Sequence, residues 1–254
     1  MLSDLELERY ARHIVLHAIG GSGQIRLREA TVVLVGVGGI GSPALQYLAA
    51  AGIGRIVAVD DDVVDLSNLQ RQTIFSTDDR GYAKALAGAA RARAINPHVE
   101  ILPHRLRLDS RNIAATIAGA DAVLDGCDNF ATRLLVADAC HQARIPLVSA
   151  AVDQFEGQLA TYRGWEAGRP CYRCFVGDSP ERPGRSCADA GILGPVTGVI
   201  GSLAALEVIR VIAPFGDDPA GTVLLADLLS LRFRSVRLPK DPGCTTCGGA
   251  QTSA

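Results

Sequence analysis

No charge of one sign dominates this chain. Its 254 residues carry a formal net charge of −2, so neither a nucleic acid nor an anionic membrane is expected to be drawn to it as a partner. No signal-like or membrane-spanning run is found. The N-terminus is polar and acidic (Ser3, Asp4, Glu6, Glu8, Arg9), and the long apolar segment 194–215 is interrupted by Glu207 and Arg210. The expected location is therefore the cytoplasm. There is no linker and no internal repeat. Histidine is scarce, five in all and without ligand spacing; His13, His17 and His141 read as helix-surface or interface residues. What remains is an ordinary globular composition, 48% apolar and 20% charged, in a length suited to one large α/β domain or two small ones. Seven cysteines in a reducing compartment point to metal binding or catalysis over disulfides.

Strand and helix patterns alternate along the first two thirds. Strands are expected at 31–35, 55–59, 99–103, 122–124 and 146–150, with helices over 42–51, 84–95, 110–118 and 131–143 between them. This rhythm predicts a Rossmann-like, doubly wound, mostly parallel α/β sheet. It then changes: 157–163, 222–226 and 231–237 read as antiparallel strands, with a helix over 196–212. On that helix Val199, Leu203 and Leu206 share one face, while Gly194, Gly198 and Gly201 keep a neighbouring face small. Close packing against the sheet or a second subunit is the expectation. The chain is expected to form one domain, 1–254, in three regions: a helical N-terminal arm (1–30), the doubly wound region (31–165) and a C-terminal region (166–254).

The chemistry begins at Gly36-Val37-Gly38-Gly39-Ile40-Gly41, between a strand and a helix. Such a loop offers backbone N–H groups and a helix N-terminus to phosphates and needs glycine so that a ligand can approach. Asp60, at the end of the second strand, is placed to accept hydrogen bonds from a ribose. Both features suit NAD as well as ATP. Arg71, closing the polar run Asp65–Arg71, and Lys84 favour ATP, because cations there neutralise charge on β and γ phosphates during attack at the α phosphorus. Their alternative is surface ion pairing. Asp128-Asn129 follows the fourth strand at the carboxyl edge of the sheet, where Asp128 can hold Mg²⁺ or, alternatively, cap the helix that opens there.

Cys171-Tyr-Arg-Cys174 and Cys244-Thr-Thr-Cys247 match a four-thiolate, closed structural zinc site that ties the C-terminal tail to the domain. Cys187 differs, in a Pro/Gly-rich loop with Arg182 and Arg185 nearby, where cations favour thiolate. Cys127 and Cys140 read as packing residues.

Taken together, Arg9-Tyr-Ala-Arg-His-Ile14, the glycine loop, Asp60, Leu66-Ser-Asn-Leu-Gln-Arg-Gln72, Lys84, Asn96-Pro97, Asp128-Asn129, Pro170-Cys-Tyr-Arg-Cys174, Cys187-Ala-Asp-Ala-Gly191 and Gly243-Cys-x-x-Cys247 resemble the MoeB/ThiF/HesA family over essentially the whole chain. The members of that family are bacterial relatives of the ubiquitin-activating enzymes. The resemblance implies ATP-dependent adenylation of the C-terminal glycine of a small ubiquitin-like sulfur-carrier protein ending in Gly-Gly, with release of pyrophosphate. It assigns ATP contacts to Gly36, Gly38, Gly39, Gly41, Asp60, Asp62, Ser67, Asn68, Gln70, Arg71, Lys84, Asp128 and Asn129, with Mg²⁺ on Asp128. It implies a homodimer in which Arg12 reaches the ATP of the other subunit, binding of the carrier by 166–254, and a loop cysteine, Cys187, that in some branches links covalently to the carrier.

Two departures stand out. The family's usual Cys-Thr-Asp-Asn is here Gly126-Cys127-Asp128-Asn129, and Gly20-Gly21-Ser22-Gly23 replaces an acidic turn, which predicts a flexible arm. With no sulfurtransferase region after residue 254, sulfur is expected from a separate protein donor. Three other readings compete: a nicotinamide oxidoreductase, for which no hydride-transfer site is found, a non-catalytic carrier-binding scaffold, and a tRNA-modifying ATP-dependent cyclase. The pathway stays open between thiamine, favoured by 180–187 and Asp60-Asp61-Asp62, and molybdopterin, favoured by Gln46-Tyr-Leu48 and Asn96-Pro-His98.

Overall fold

The computed structural model describes residues 2–178 and 191–248. Its centre is an eight-stranded sheet of order β3-β2-β1-β4-β5-β6-β7-β8. The strands are β1 (Thr31–Val35), β2 (Arg55–Val59), β3 (Glu100–His104), β4 (Ala122–Asp125), β5 (Leu147–Asp153), β6 (Glu156–Tyr162), β7 (Thr222–Asp227) and β8 (Arg232–Arg237). The first five pair in parallel and the last three add antiparallel ladders, the mixed architecture expected from the sequence.

Period-two alternation sends the residues of one strand to two cores. In β1, Val32 and Leu34 join the layer formed with α4 (Gly41–Ala51), α5 (Lys84–Ile95) and α9 (Gly194–Ile212). Val33 and Val35 join the layer with α6 (Ile113–Ile117) and α7 (Phe130–Ala143) on the opposite face. Burial on both sides explains the unbroken apolar run.

By length and composition α9 is able to cross a membrane. Here, however, its face of Val196, Ile200, Ala204 and Val208 is buried against α4, β5 and β6. Gly201 is required for that approach, since a Cβ there would lie 2.4 Å from the carbonyl oxygen of Ile40. Val199 and Leu206, on the other side, stay exposed.

The N-terminal arm is three helices, α1 (Asp4–Arg9), α2 (Ala11–Ile14) and α3 (Gly20–Glu29). The glycine-rich stretch expected to loosen it forms the first turn of α3, and Gly23 is buried beside Ile19 and Ala213. Specific bonds hold the arm down. Asn96 Nδ2 donates to the Tyr10 hydroxyl at 2.7 Å and to the Ala49 carbonyl at 2.8 Å. Gln24 donates to Ala51 O at 2.9 Å and meets His13 Nδ1 at 3.0 Å. A short helix, α8 (Tyr172–Val176), starts directly after Cys171 and carries Cys174, these two being the first of the two cysteine pairs.

Candidate nucleotide and metal sites

Because β1 lies between β2 and β4, the connections from β1 and β4 depart on opposite sides and leave a crevice at the carboxyl ends of these strands. The loop 36–41 lines this crevice. Gly36 has φ +85°, the left-handed region that favours glycine. A Cβ on Gly41 would stand 1.9 Å from the Gly36 carbonyl oxygen, so glycine there closes the loop on itself. At Gly38 the nearest neighbour is Gln72 Nε2, at 3.7 Å from such a Cβ, which leaves room for a ligand. The resulting cleft of about 370 Å³ is lined by Gly36, Gly38, Gly39, Asp60, Asp62, Arg71, Lys84, Asp128 and Asn129. Five separate stretches of the sequence thus converge on one cavity.

Asp60 anchors one end. Its carboxylate accepts from Val37 N at 2.7 Å and from Asp62 N at 2.9 Å, fixing the glycine loop to the end of β2. Burial raises its pKa above the ordinary carboxylate value, against those two hydrogen bonds and the nearby Lys84, which lower it. Lys84 Nζ donates to Asp62 at 2.9 Å. Arg71 Nη1 donates to Ser67 O at 3.1 Å, while its backbone carbonyl faces Thr197 Oγ1 at 3.5 Å. The same Thr197 side chain packs against Gly39, so the start of α9 props both the cation and the glycine loop.

The structure divides the labour of Asp128 and Asn129. Asn129 Oδ1 accepts from Thr132 N at 3.0 Å and is the N-cap of α7. The capping alternative for Asp128 is therefore not realised, and its exposed carboxylate borders the cleft. Beneath them lies a buried ion pair that the sequence did not reveal. Asp125 Oδ1 accepts from Cys127 N at 3.1 Å, Arg133 Nη1 is 3.4 Å from Asp125 Oδ2, and Arg133 Nη2 donates to the Cys127 carbonyl. The backbone just before Asp128 is thus held from both sides. Cys127 itself borders the cleft, but burial and then Asp125 push its thiol pKa well above the usual value, which suits packing better than attack. Cys140 is buried as expected.

The remaining expected contacts lie outside the cleft lining. Gly41 shapes the loop. Ser67 Oγ donates to Asp65 at 2.7 Å within a 3₁₀ turn, and the Asn68 carbonyl accepts from the N–H groups of Arg71 and Gln72. A Cβ on Gly194 would sit 2.2 Å from the Gln70 carbonyl, so Gln70 abuts the start of α9. Arg12 is exposed on α2. Cys187, with Arg182 and Arg185, lies outside the described residues. Conversely, Gln72, Arg107, Thr132, Arg133 and Thr197 border the cleft without having been singled out. Gln72 directly follows the polar run, at the end of the motif Leu66–Gln72, and was within reach of the sequence; the others depend on tertiary placement.

Cys171, Cys174, Cys244 and Cys247 converge with all four sulfur atoms within 4.8 Å of one another. Contacts of 3.8, 3.5 and 3.4 Å between Sγ atoms are far beyond a disulfide bond of about 2.05 Å. They approach the separation of about 3.8 Å that tetrahedral Zn–S bonds of about 2.3 Å impose. The donor set therefore fits a closed, four-thiolate metal.

A second groove, about 610 Å³, runs over β6–β8 and is lined by Asp153, Glu156, Asp227, Arg232 and Arg234. It shares the lining residues Ala151 and Val152 with the glycine-lined cleft, so the two lie side by side at the end of β5.

Comparison with known proteins agrees with this geometry. The chain is 44% identical over 253 residues to the sulfur carrier protein adenylyltransferase of Thermus thermophilus, covering 97% of this chain and 93% of that one. It is 41% identical over 247 residues to the molybdopterin-synthase adenylyltransferase of Escherichia coli, covering 97% and 98%. Escherichia coli MccB, solved with ATP, superposes with a TM-score of 0.81 at 25% identity, covering 95% of this chain and 75% of that one. The ThiF family model matches residues 10–246, and the chain belongs to the ThiF family.

Proposed function

We propose that this protein is an adenylyltransferase that uses ATP to activate the C-terminal glycine of a small ubiquitin-like sulfur-carrier protein. The observation that carries this reading is the convergence of Arg71, Lys84 and the free Asp128 carboxylate around one glycine-lined cleft. A nicotinamide dinucleotide site has no need of two cations and a metal-binding carboxylate at its phosphate end.

The chemistry is an in-line displacement. A carboxylate oxygen of the carrier's terminal glycine forms a bond to the α phosphorus, the bond from that phosphorus to the α–β bridging oxygen breaks, and pyrophosphate leaves with the electron pair. Gly38 and Gly39 let the phosphates approach the backbone, and Asp60 accepts from the ribose. Arg71 and Lys84 stabilise the charge that grows on the β and γ phosphates, an electrostatic effect of large weight in a partly desolvated cleft. Asp128 would hold Mg²⁺, which when bound supplies further charge stabilisation to the leaving pyrophosphate. In this reading an extended Gly-Gly tail runs from the groove over the antiparallel strands, past the shared Ala151 and Val152, to the α phosphate. In this reading nucleotide binding belongs to 31–165, and carrier binding to 166–254 together with the β5 and β6 residues that line the groove.

The arm supports a homodimer. Arg12 is exposed and absent from the cleft of its own chain, while Leu5, Val15, Leu16, Tyr47 and Leu206 leave apolar side chains uncovered. In this reading Arg12 of one protomer completes the site of its partner. The four cysteines hold structural Zn²⁺, a separate protein supplies sulfur, and the protein acts in the cytoplasm.

ATP–pyrophosphate exchange with ubiquitin-like carriers ending in Gly-Gly tests the proposal, because the reverse reaction reports adenylate formation without any sulfur donor. Carrier-dependent exchange is expected, and removal of the terminal glycine should abolish it. Exchange that is absent with every such carrier, in a protein shown to bind ATP, would overturn it.

A further inference from the structure

Three side-chain amides are buried among the described residues, and they are not used alike. Gln24 and Asn96, both 0% exposed, commit their amides to the protein. Gln24 Nε2 donates to Ala51 O at 2.9 Å and its Oε1 faces His13 Nδ1 at 3.0 Å. Asn96 Nδ2 donates to the Tyr10 hydroxyl and to Ala49 O, and its Oδ1 accepts from His98 N at 3.2 Å. Gln72 is the exception. It is 3% exposed, yet its Oε1 has no hydrogen-bond partner, and among the described residues its Nε2 has none either. A buried amide in this state has lost its hydration without gaining a protein bond in exchange, a combination that folded proteins seldom tolerate.

Its position shows what the amide is kept for. Gln72 lines the glycine-lined cleft together with Gly38, Gly39, Arg71 and Lys84. Nε2 is the nearest atom to the point that a Cβ on Gly38 would occupy, at 3.7 Å, so the amide nitrogen borders the space over that glycine. The backbone that carries it is fixed. Gln72 N donates to Asn68 O at 3.0 Å and Gln72 O accepts from Phe75 N at 3.1 Å, and Ile74 and Phe75 belong to the core on which α4 packs. The preceding residues are held from the other side, Gln70 against Gly194 and Arg71 beside Thr197.

We infer that Gln72 is a nucleotide contact, donating an amide N–H to a phosphate oxygen of the bound triphosphate over Gly38. Phosphate oxygens only accept, and hydrogen bonds to ionised acceptors are roughly twice as strong as neutral ones. Arg71 and Lys84 bring charge to the same end of the cleft, whereas a neutral amide brings direction without a third positive charge to bury. The missing protein partner then has a physical account: the free protein bears the cost of an unpaired amide, and the nucleotide relieves it on binding. This fixes opposite signs for the two states, since removing the amide favours the free protein and weakens the complex.

The inference rests on the adenylation reading and is tested by binding, apart from turnover. Gln72→Met keeps the length of the side chain and removes both polar ends. The free variant should melt no lower than wild type. Its affinity for a non-hydrolysable ATP analogue with Mg²⁺, measured by calorimetry, should fall about 10- to 100-fold, while its affinity for adenosine, which has no phosphate, should be that of wild type. Gln72→Glu, examined at pH 8, keeps the shape and sets an acceptor where the donor was, so it should bind the ATP analogue more weakly still. Unchanged binding of the analogue by either variant, an equal loss for adenosine, or a free Gln72→Met protein that melts clearly below wild type overturns the inference. A wild type that does not bind the ATP analogue sinks the functional reading and this inference with it.

Discussion

Lys84 and Asp62 form an ion pair of 2.9 Å in which the partners are buried very unequally, the lysine side chain 7% exposed and the aspartate 69%. The ammonium is therefore fixed by the protein, while its counter-ion faces solvent and can yield to a phosphate. Because solvent screens the exposed Asp62, the ionic part of this half-buried pair contributes little to stability, about 1 kcal/mol or less. Lys84→Ala should thus lower ATP–pyrophosphate exchange by about 10²- to 10³-fold with little change in melting temperature, because the Asp62 left behind remains hydrated. A folded Lys84→Ala protein with near-normal exchange would remove Lys84 from the mechanism.

The adjacent residues Asp128 and Asn129 give a prediction of opposite signs. Asn129 caps α7 through Thr132 N, and loss of such a cap costs about 0.5–2 kcal/mol. Asn129→Ala should therefore destabilise the protein. Asp128 is exposed and is not the cap, so Asp128→Ala should melt like wild type yet lose most of its exchange activity and its response to Mg²⁺. Thermal melting and exchange measured on both variants separate the two roles, and a stable, fully active Asp128→Ala protein would sink the Mg²⁺ assignment.

The extent to which the sequence revealed this site follows from which interactions are local. β1, β2 and α5 were legible to the residue because their periodicity is unambiguous. β5 was read too short. Its last residues are held by pairing with β6, as at Asp153 with Glu156, and that antiparallel register is not written in β5 alone. α6 was read too long, since Asp109 and Asn112 bond to one another's backbone and form a turn before the helix begins. α8 has five residues, too few to show a period. Arg133 was invisible for a similar reason. On α7 it reads as a solvent-facing arginine, and only the meeting of β4, β5 and α8 turns it into a buried one.

The exposed position of Arg12 leads to a test of the dimer. Tyr10, two residues before it, is anchored by Asn96, and His13, directly after it, by Gln24. Arg12 is thus presented outward from a fixed support. If it serves the partner's ATP, neither Arg12→Ala nor Arg71→Ala homodimers should be active. A mixture allowed to exchange subunits should regain activity, because one of the two sites in each hybrid carries both arginines. At equal mixing, half of the dimers are hybrids with one good site each, so recovery near one quarter of wild type is expected. No recovery after demonstrated subunit exchange would rule out action in trans.

Metal removal gives the final prediction. The sulfur atoms of Cys171 and Cys244 are 3.5 Å apart and those of Cys174 and Cys247 3.4 Å, so each contact joins the body of the domain to the tail. Metal binding by four thiolates is coupled to the folding of the segments that carry them. Cys244→Ser removes one thiolate, and the three that remain cannot complete the tetrahedron. Purified wild type should contain one zinc ion per chain and the variant much less. The variant should also melt at lower temperature and lose its tail to limited proteolysis, and strong chelators should reproduce these changes in wild type. A metal-free wild type, purified without chelator and as stable as the zinc-supplemented protein, would refute the zinc clip.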